Sequence, residues 1–311
     1  GFDVLGCLEI DTKIIKTYIK NHNPKFAFNE GIQYFIKREE YPKELYNLDI
    51  LDGSPPCSSF SMAGNRGKDW GKKKKFREGQ AYQVLDTLFF DFIKLGEKLK
   101  PKIIIAENVK GLLQSDARDY LWKIHESFNN AGYYVGHKLL NGSNMGVPQR
   151  RERVFFYAIR KDLYNGHFAD LFSTEPLIDL NFNEKEIPYK EIEHNNIEQE
   201  NITHVPTGIL PYLRKIKEGR SCADAHPKGS FFQEKKLHRD KPLPTLRAGS
   251  NSYYHYEQER RLYDIEIILG SSFPMDYDFQ DNKPIYLCGM SVPPLMVAIL
   301  SDEIFKQWIE I

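Results

Sequence analysis

Residues 48–57 read Leu48-Asp49-Ile50-Leu51-Asp52-Gly53-Ser54-Pro55-Pro56-Cys57, and the fold class is decided there. Residues 48–52 make a short β-rich run. Gly53 closes it, and two consecutive prolines then remove two backbone donors, so sheet pairing stops and a loop follows. Upstream, residues 2–9 read as a strand and 12–21 as a helix. Downstream, residues 81–98 place Val84, Leu85, Leu88, Phe89, Phe92 and Leu95 at a helical period, and Pro101 marks the end. Residues 103–106 form a buried-type strand, 116–131 a helix stopped by Gly132, and 133–140 and 154–159 two more strands. This βαβ rhythm predicts an open, doubly wound α/β sheet. From about Arg160 to Leu243 the periodicity weakens, which predicts a second, smaller domain. Helices return near 257–269 and over 294–309, with Pro293 and Pro294 in the first turn.

At 311 residues the chain holds two domains, or one large α/β domain with an insertion. With 41% apolar and 28% charged residues, Gly 21 and Pro 17, it is neither disordered, collagenous nor repetitive. No apolar run approaches membrane-spanning length, and no basic-then-apolar leader opens the chain, so a cytoplasmic location is expected. Cys7, Cys57, Cys222 and Cys288 are scattered without a C-x-x-C pair, so no zinc site or disulfide framework is expected. The formal charge is zero, yet residues 64–79 hold seven basic and two acidic residues, and 214–247 ten and four. Residues 170–200 hold nine acidic and two basic ones. Segregation of this kind lets a neutral molecule offer one face to a polyanion; solvated surface is the plainer reading.

Ligands of open α/β sheets bind beyond the carboxyl ends of strands. Four groups fall there: Cys57 after Pro-Pro, Glu107 and Asn108 after 103–106, the run 149–153, and Glu9 after the first strand. Each alone has an ordinary explanation: a buried thiol, a helix cap, an exposed charge cluster, a solvated acid.

Together they are specific. Gly53-Ser-Pro-Pro-Cys-Ser-Ser-Phe-Ser61, Glu107-Asn-Val109 and Gln149-Arg-Arg-Glu-Arg153, in this order and spacing, make the sequence resemble the C5-cytosine methyltransferases. Thr87-Leu-Phe-Phe-Asp91, Pro244-Thr-Leu246, Arg260-Arg-Leu262, Ser272-Phe-Pro274 and Gly289-Met-Ser-Val292 extend the resemblance over nearly the whole chain, leaving about 161–241 without a counterpart. It implies a Rossmann-like S-adenosylmethionine-dependent methyltransferase sheet with a small inserted target-recognition domain. Residues 1–160 then form the catalytic domain, 161–243 the recognition domain, and 244–311 the return to the catalytic domain. The implied activity is DNA (cytosine-5)-methylation on double-stranded DNA by a monomer, in a bacterial or phage modification system, with a cognate restriction endonuclease as the partner to seek and no metal.

Cytosine C5 is a weak nucleophile, and thiolate addition at C6 drives electron density onto it. The resemblance gives the thiolate to Cys57, a hydrogen bond or proton at ring N3 to Glu107, and donation to O2 to Arg153 with Arg151 in support. Asn108 orients the loop. Implied cofactor contacts are Glu9 to the ribose, Ile10 to the adenine, Pro55, Leu88, and the backbone of Ser291 and Val292, with Asn29 or Glu30 near the adenine amine. A paired base is out of reach, so the target flips out. The loop 58–79 closes over DNA, offering Ser59, Arg66, Lys68, Lys72 and Lys73, with Gly64, Gly67, Gly71 and Gly79 as hinges. Further DNA candidates are Gln149, Arg220 and Arg247, with Lys228, Lys235, Lys236 and Arg239.

Two features depart from the pattern. The family opens with a strand and a Phe-x-Gly-x-Gly turn that cradles the cofactor; this chain starts at Gly1-Phe2-Asp3, so the first strand and turn are missing. The natural protein is therefore expected to be longer by about 15–20 residues, enough for a strand, a turn and part of a helix. Met290 stands where the family has Asn. Rival readings are a tRNA cytosine-5 methyltransferase, whose branch carries a Cys-Phe-Thr absent here, a non-catalytic DNA-binding remnant, and a Cys57 thiol hydrolase.

Overall fold

The computed structural model describes residues 2–56, 87–114, 117–168, 174–194, 204–249 and 251–310, with the backbone alone at 73–74 and 83–84. Cys57, Ser59, Arg66, Lys68 and Lys72 lie outside the described residues, and so does the side chain of Lys73. The chain divides into two compact units, residues 1–140, 152–180 and 306–311 forming the first, 141–151 and 181–305 the second. Residues 244–305 thus group with the second unit, whereas the sequence reading returns them to the first.

In the first unit the strands Gly6–Leu8 and Phe26–Phe28 pair in parallel around the helix Thr12–His22. Asp11 starts that helix, its carboxylate accepting from the amides of Lys13 (2.8 Å) and Ile14 (3.3 Å). The strand Phe26–Phe28 has no counterpart in the sequence reading, being too short for a period to register. A separate four-stranded sheet runs in the order Ile50–Gly53, Ile103–Val109, Glu152–Arg160, Tyr133–Asn141. Ile103–Val109 is parallel to Ile50–Gly53 but antiparallel to Glu152–Arg160, so the sheet is mixed rather than all-parallel.

Its core is set by the helix Leu88–Leu99, which buries Leu88, Phe89, Phe92, Ile93, Leu95 and Leu99. Two glycines admit this approach: a Cβ on Gly53 would lie 2.5 Å from the Phe92 ring, and one on Gly96 2.4 Å from Ile104. His125 on the helix Arg118–Asn130 and His137 on the strand Tyr133–Asn141 share a 2.9 Å hydrogen bond beside Phe156. Burial first, then the neighbouring His137, lowers His125 to about 4; burial also lowers His137, opposed by Glu175. Both rings fold neutral, so between pH ~6.5 and ~4 the unfolded chain takes up protons that the folded chain refuses, and stability falls with pH. Urea titrations should show a loss of about 2–3 kcal/mol from pH 7 to 4.5. A His125→Phe variant with the same pH dependence would refute the assignment.

The second unit has its own apolar clusters, one around Tyr189, Leu237, Leu243, Leu246 and Ile267, another around Val205, Leu213 and Tyr254. The strand Leu243–Pro244 pairs in parallel with Gln149–Arg150, and Lys235–Lys236 with Tyr253–Tyr254. The helix expected over 257–269 is shorter, Asp264–Gly270. The preceding residues are spent on extended pairing: Arg261 bridges Tyr254, and the His255 amide donates to the Arg260 carbonyl at 3.0 Å. Residues 284–301 carry no charge, which corrects the expectation that no apolar run reaches spanning length. By length and composition 284–308 is the one helical stretch among the described residues able to cross a membrane. It is broken into Pro284–Met290 and Pro294–Trp308, and it buries Leu287, Cys288, Met296, Leu300 and Ile304 in protein.

Candidate active site

Parallel pairing sets Gly53 opposite Ala106, so the turn Ser54-Pro55-Pro56 and the pair Glu107-Asn108 emerge at the same carboxyl end. Asn108, 3% exposed, joins them: its amide donates to the Pro55 carbonyl at 3.1 Å, and its Oδ1 accepts from the Val109 amide at 2.9 Å. The turn that leads into Cys57 is therefore anchored from the neighbouring strand, and the Pro55 carbonyl is already taken. In the antiparallel register Phe155 faces Glu107 and Arg153 faces Val109, which puts Glu107 and Arg153 diagonally on one face. They form an ion pair of 2.7 Å with only 15% and 14% of the Arg153 and Glu107 side chains exposed. Two separate sequence motifs thus supply one charged pair.

Glu9 follows the strand Gly6–Leu8; its carboxylate accepts from the Asp11 amide at 2.7 Å and is also held by the backbone amide of Ile10. Burial pushes its carboxyl up, against the pull of those amides. Asn29 donates to the Glu9 and Ile10 carbonyls at 2.8 and 3.2 Å, while its oxygen accepts from Thr12 at 2.9 Å. It holds the 9–10 turn, a positioning task that the sequence reading did not foresee. Glu30 is engaged by Arg38, and Leu88 is buried at the start of its helix. A half-buried acid next to an apolar Ile10 suits a ribose carrying an aromatic base.

Gln149 and Arg151 belong to the second unit and are enclosed. Gln149 is fully buried, donating to the Gly270 carbonyl at 3.1 Å and accepting from the Leu246 amide at 3.0 Å. Arg151, 1% exposed, donates to the Leu246 and Gly289 carbonyls at 2.9 and 3.0 Å. Its guanidinium fastens two segments. A Cβ on Gly289 would lie 2.3 Å from the Ala248 backbone, so the same contact demands glycine. Ser291 and Val292 are half-buried at the break between the last two helices. Arg220 is exposed and paired with Asp224, and Arg247 reaches the Gln233 carbonyl at 3.3 Å. Burial raises the thiols of Cys7, Cys222 and Cys288, the latter two to about 11 and about 12, so none of the three is primed as a thiolate.

The family model for C-5 cytosine-specific DNA methylases matches residues 1–306. The chain belongs to that family. Methylation of DNA cytosine at C5 is the activity of the family, and its fold accounts for the mixed α/β architecture seen here. The type II methyltransferase M1.HphI of Haemophilus parahaemolyticus is 27% identical over 99% of this chain and 82% of the relative. M.FnuDI of Fusobacterium nucleatum is 37% identical over 54% of this chain, which spans only 44% of that relative. A putative DNA modification methyltransferase of an Escherichia coli prophage superposes with a TM-score of 0.66 at 19% identity, covering 98% of this chain and 93% of that one. In a methylase of this family, the strand-end cluster of Pro55, Glu107, Asn108 and Arg153 is the candidate for the reacting base.

Proposed function

We propose that the chain is an S-adenosylmethionine-dependent DNA (cytosine-5)-methyltransferase acting on a cytosine flipped from duplex DNA, with Cys57 as nucleophile. The observation that carries the reading is the Glu107–Arg153 pair at the strand ends, beside the Pro55 turn that Asn108 anchors two residues before Cys57. The Cys57 thiolate forms a bond to C6, and Glu107 meets the rising negative charge at N3 by hydrogen bonding or donating a proton. Arg153 donates to O2, and its charge favours the thiolate. The cofactor supplies an electrophilic methyl group. C5 would take that methyl as the sulfonium S–CH3 bond breaks and the thioether leaves; a base such as water would then take the C5 proton, and the C5–H electron pair would re-form the C5=C6 bond and expel the Cys57 thiolate. Glu9, Ile10 and Leu88 hold the adenosine end in this reading, and the lysines expected in the loop 58–79 meet phosphates. The type II relatives support a modification system with a paired endonuclease.

The test is trapping. Fluorine at C5 cannot leave as a proton does, so duplex DNA bearing 5-fluorocytosine should stay bound to the parent protein with cofactor present and not to Cys57→Ala. RNA that traps where no DNA does would move the assignment to the tRNA enzyme. A related expectation concerns Asn108→Ala, which leaves the buried Pro55 carbonyl without a donor at a cost of about 1–3 kcal/mol. It should lower single-turnover methyl transfer about tenfold or more through the misplaced turn, with cofactor affinity unchanged in a binding titration.

A further inference from the structure

Residues 226–234, His-Pro-Lys-Gly-Ser-Phe-Phe-Gln-Glu, form a loop of the second unit. Phe232 at its tip is 65% exposed, the highest value among the large apolar side chains described. Burial normally stabilises such a ring, so an outward one needs a reason. Looseness is not the reason. The neighbouring Phe231 sits at φ 66°, where a bulky side chain is an outlier, and packs on His226 (5.2 Å) and Tyr212 (5.7 Å). Phe231, 38% exposed, is pinned by those two rings, and Phe232 beside it projects further. His226 Nδ1 accepts from the amides of Lys228 and Ser230, at 3.2 Å each, and the Ser221 hydroxyl lies 3.2 and 2.9 Å from the carbonyls of Phe231 and Phe232. Arg247 adds its bond to Gln233 from the other side.

The charge around this loop is one-sided. Lys228 and Lys235 are exposed, and with Arg247 they make no ion pair among the described residues. Arg214 and Arg220 of the same unit are, by contrast, paired with Glu259 and Asp224. The one carboxylate of the loop, Glu234, is taken by the Tyr254 hydroxyl. A braced aromatic side chain among unpaired cations is complementary to a polymer that alternates phosphates with apolar base surfaces. One projecting ring is also too small a patch for a protein partner.

We propose that Phe232 is a specificity-determining residue that contacts a base of the bound duplex while Lys228, Lys235 and Arg247 face the flanking phosphates; this rests on the DNA-methyltransferase reading above. The full-length protein, S-adenosylmethionine and unmethylated bacterial genomic DNA are incubated, and bisulfite sequencing gives the methylation rate in every flanking context. Phe232→Ala, melting as the parent does, should lose about tenfold of the preference at one position of the site and keep it elsewhere, and Phe232→Leu should restore part of it. The double variant Lys228→Ala/Lys235→Ala should slow all contexts alike, with a shallower salt dependence. A Phe232→Ala profile identical to the parent at every position overturns the proposal and leaves the methyltransferase reading standing. A parent protein that protects no cytosine in any context overturns that reading, and the proposal with it.

Discussion

Glu266→Ala should destabilise the second unit by about 3–5 kcal/mol, the range for stripping one partner from a buried ion pair. Glu266 is fully buried and Arg260 is 2% exposed. The carboxylate accepts from both Arg260 amino groups (2.8 and 2.9 Å), the Tyr189 hydroxyl (2.9 Å), and the amides of His194 (3.1 Å) and Tyr263 (2.8 Å). Alanine leaves the Arg260 charge and the Tyr189 and Tyr263 donors buried without that acceptor, and the His194 amide loses its partner as well. A drop of roughly 10 °C in melting temperature corresponds to such a loss for a unit of this size. The double variant Arg260→Met/Glu266→Leu should recover most of it, because no charge is then left unpaired. A single variant costing under about 1 kcal/mol would show the network to be solvated.

The Glu266 network also shows where sequence reading stops. Residues 53–57 were legible because their chemistry is local: glycine and two prolines end a strand wherever they stand. The helix Leu88–Leu99 and the strand Ile103–Val109 were legible for a related reason, since their periods are written in neighbouring residues. Gln149 and Arg151 were not. In the string Gln-Arg-Arg-Glu-Arg they look like surface, yet their partners Gly270, Leu246 and Gly289 stand 121, 95 and 138 residues away. Nothing local distinguishes the enclosed Arg151 from the exposed Arg150, which pairs with Glu186. Residues 257–263 failed for the opposite reason. Their run of Glu, Gln and Arg is rich in helix formers, while cross-strand bonds to Tyr253 and Tyr254 win the backbone.

The candidate site divides along the same line. That Glu107 lies near the end of one strand and Arg153 near the start of another is a local fact, and their diagonal approach depends on an antiparallel register that a βαβ reading does not contain. Asn29 could be placed after the turn but not assigned its task, because its partners Glu9 and Ile10 are 20 and 19 residues upstream. Local chemistry names the groups, and register decides which of them meet.

The largest effect on activity is expected from Glu107→Gln, a fall of about 10²–10⁴-fold in single-turnover methyl transfer, the usual weight of a positioned acid. Glutamine can still donate a hydrogen bond to N3 but has no proton to give, so the size of the fall separates the two roles. The pair with Arg153 is at most 15% exposed, so its loss also costs some stability, and a melting curve must accompany the rate. The decisive readout precedes methyl transfer. In the proposed mechanism, addition of Cys57 to C6 labilises the C5 hydrogen, so tritium released from 5-tritiated cytosine DNA without cofactor reports the first step alone. Glu107→Gln should lose exchange and transfer in parallel, since N3 is charged in the addition itself. Arg153→Lys should do the same more mildly, because it keeps the charge and loses the planar fork that reaches O2. Glu9→Gln, at the proposed adenosine end, should weaken cofactor binding and transfer while exchange without cofactor persists. Exchange at the parental rate in Glu107→Gln would remove Glu107 from the addition step and leave it as the partner that orients Arg153.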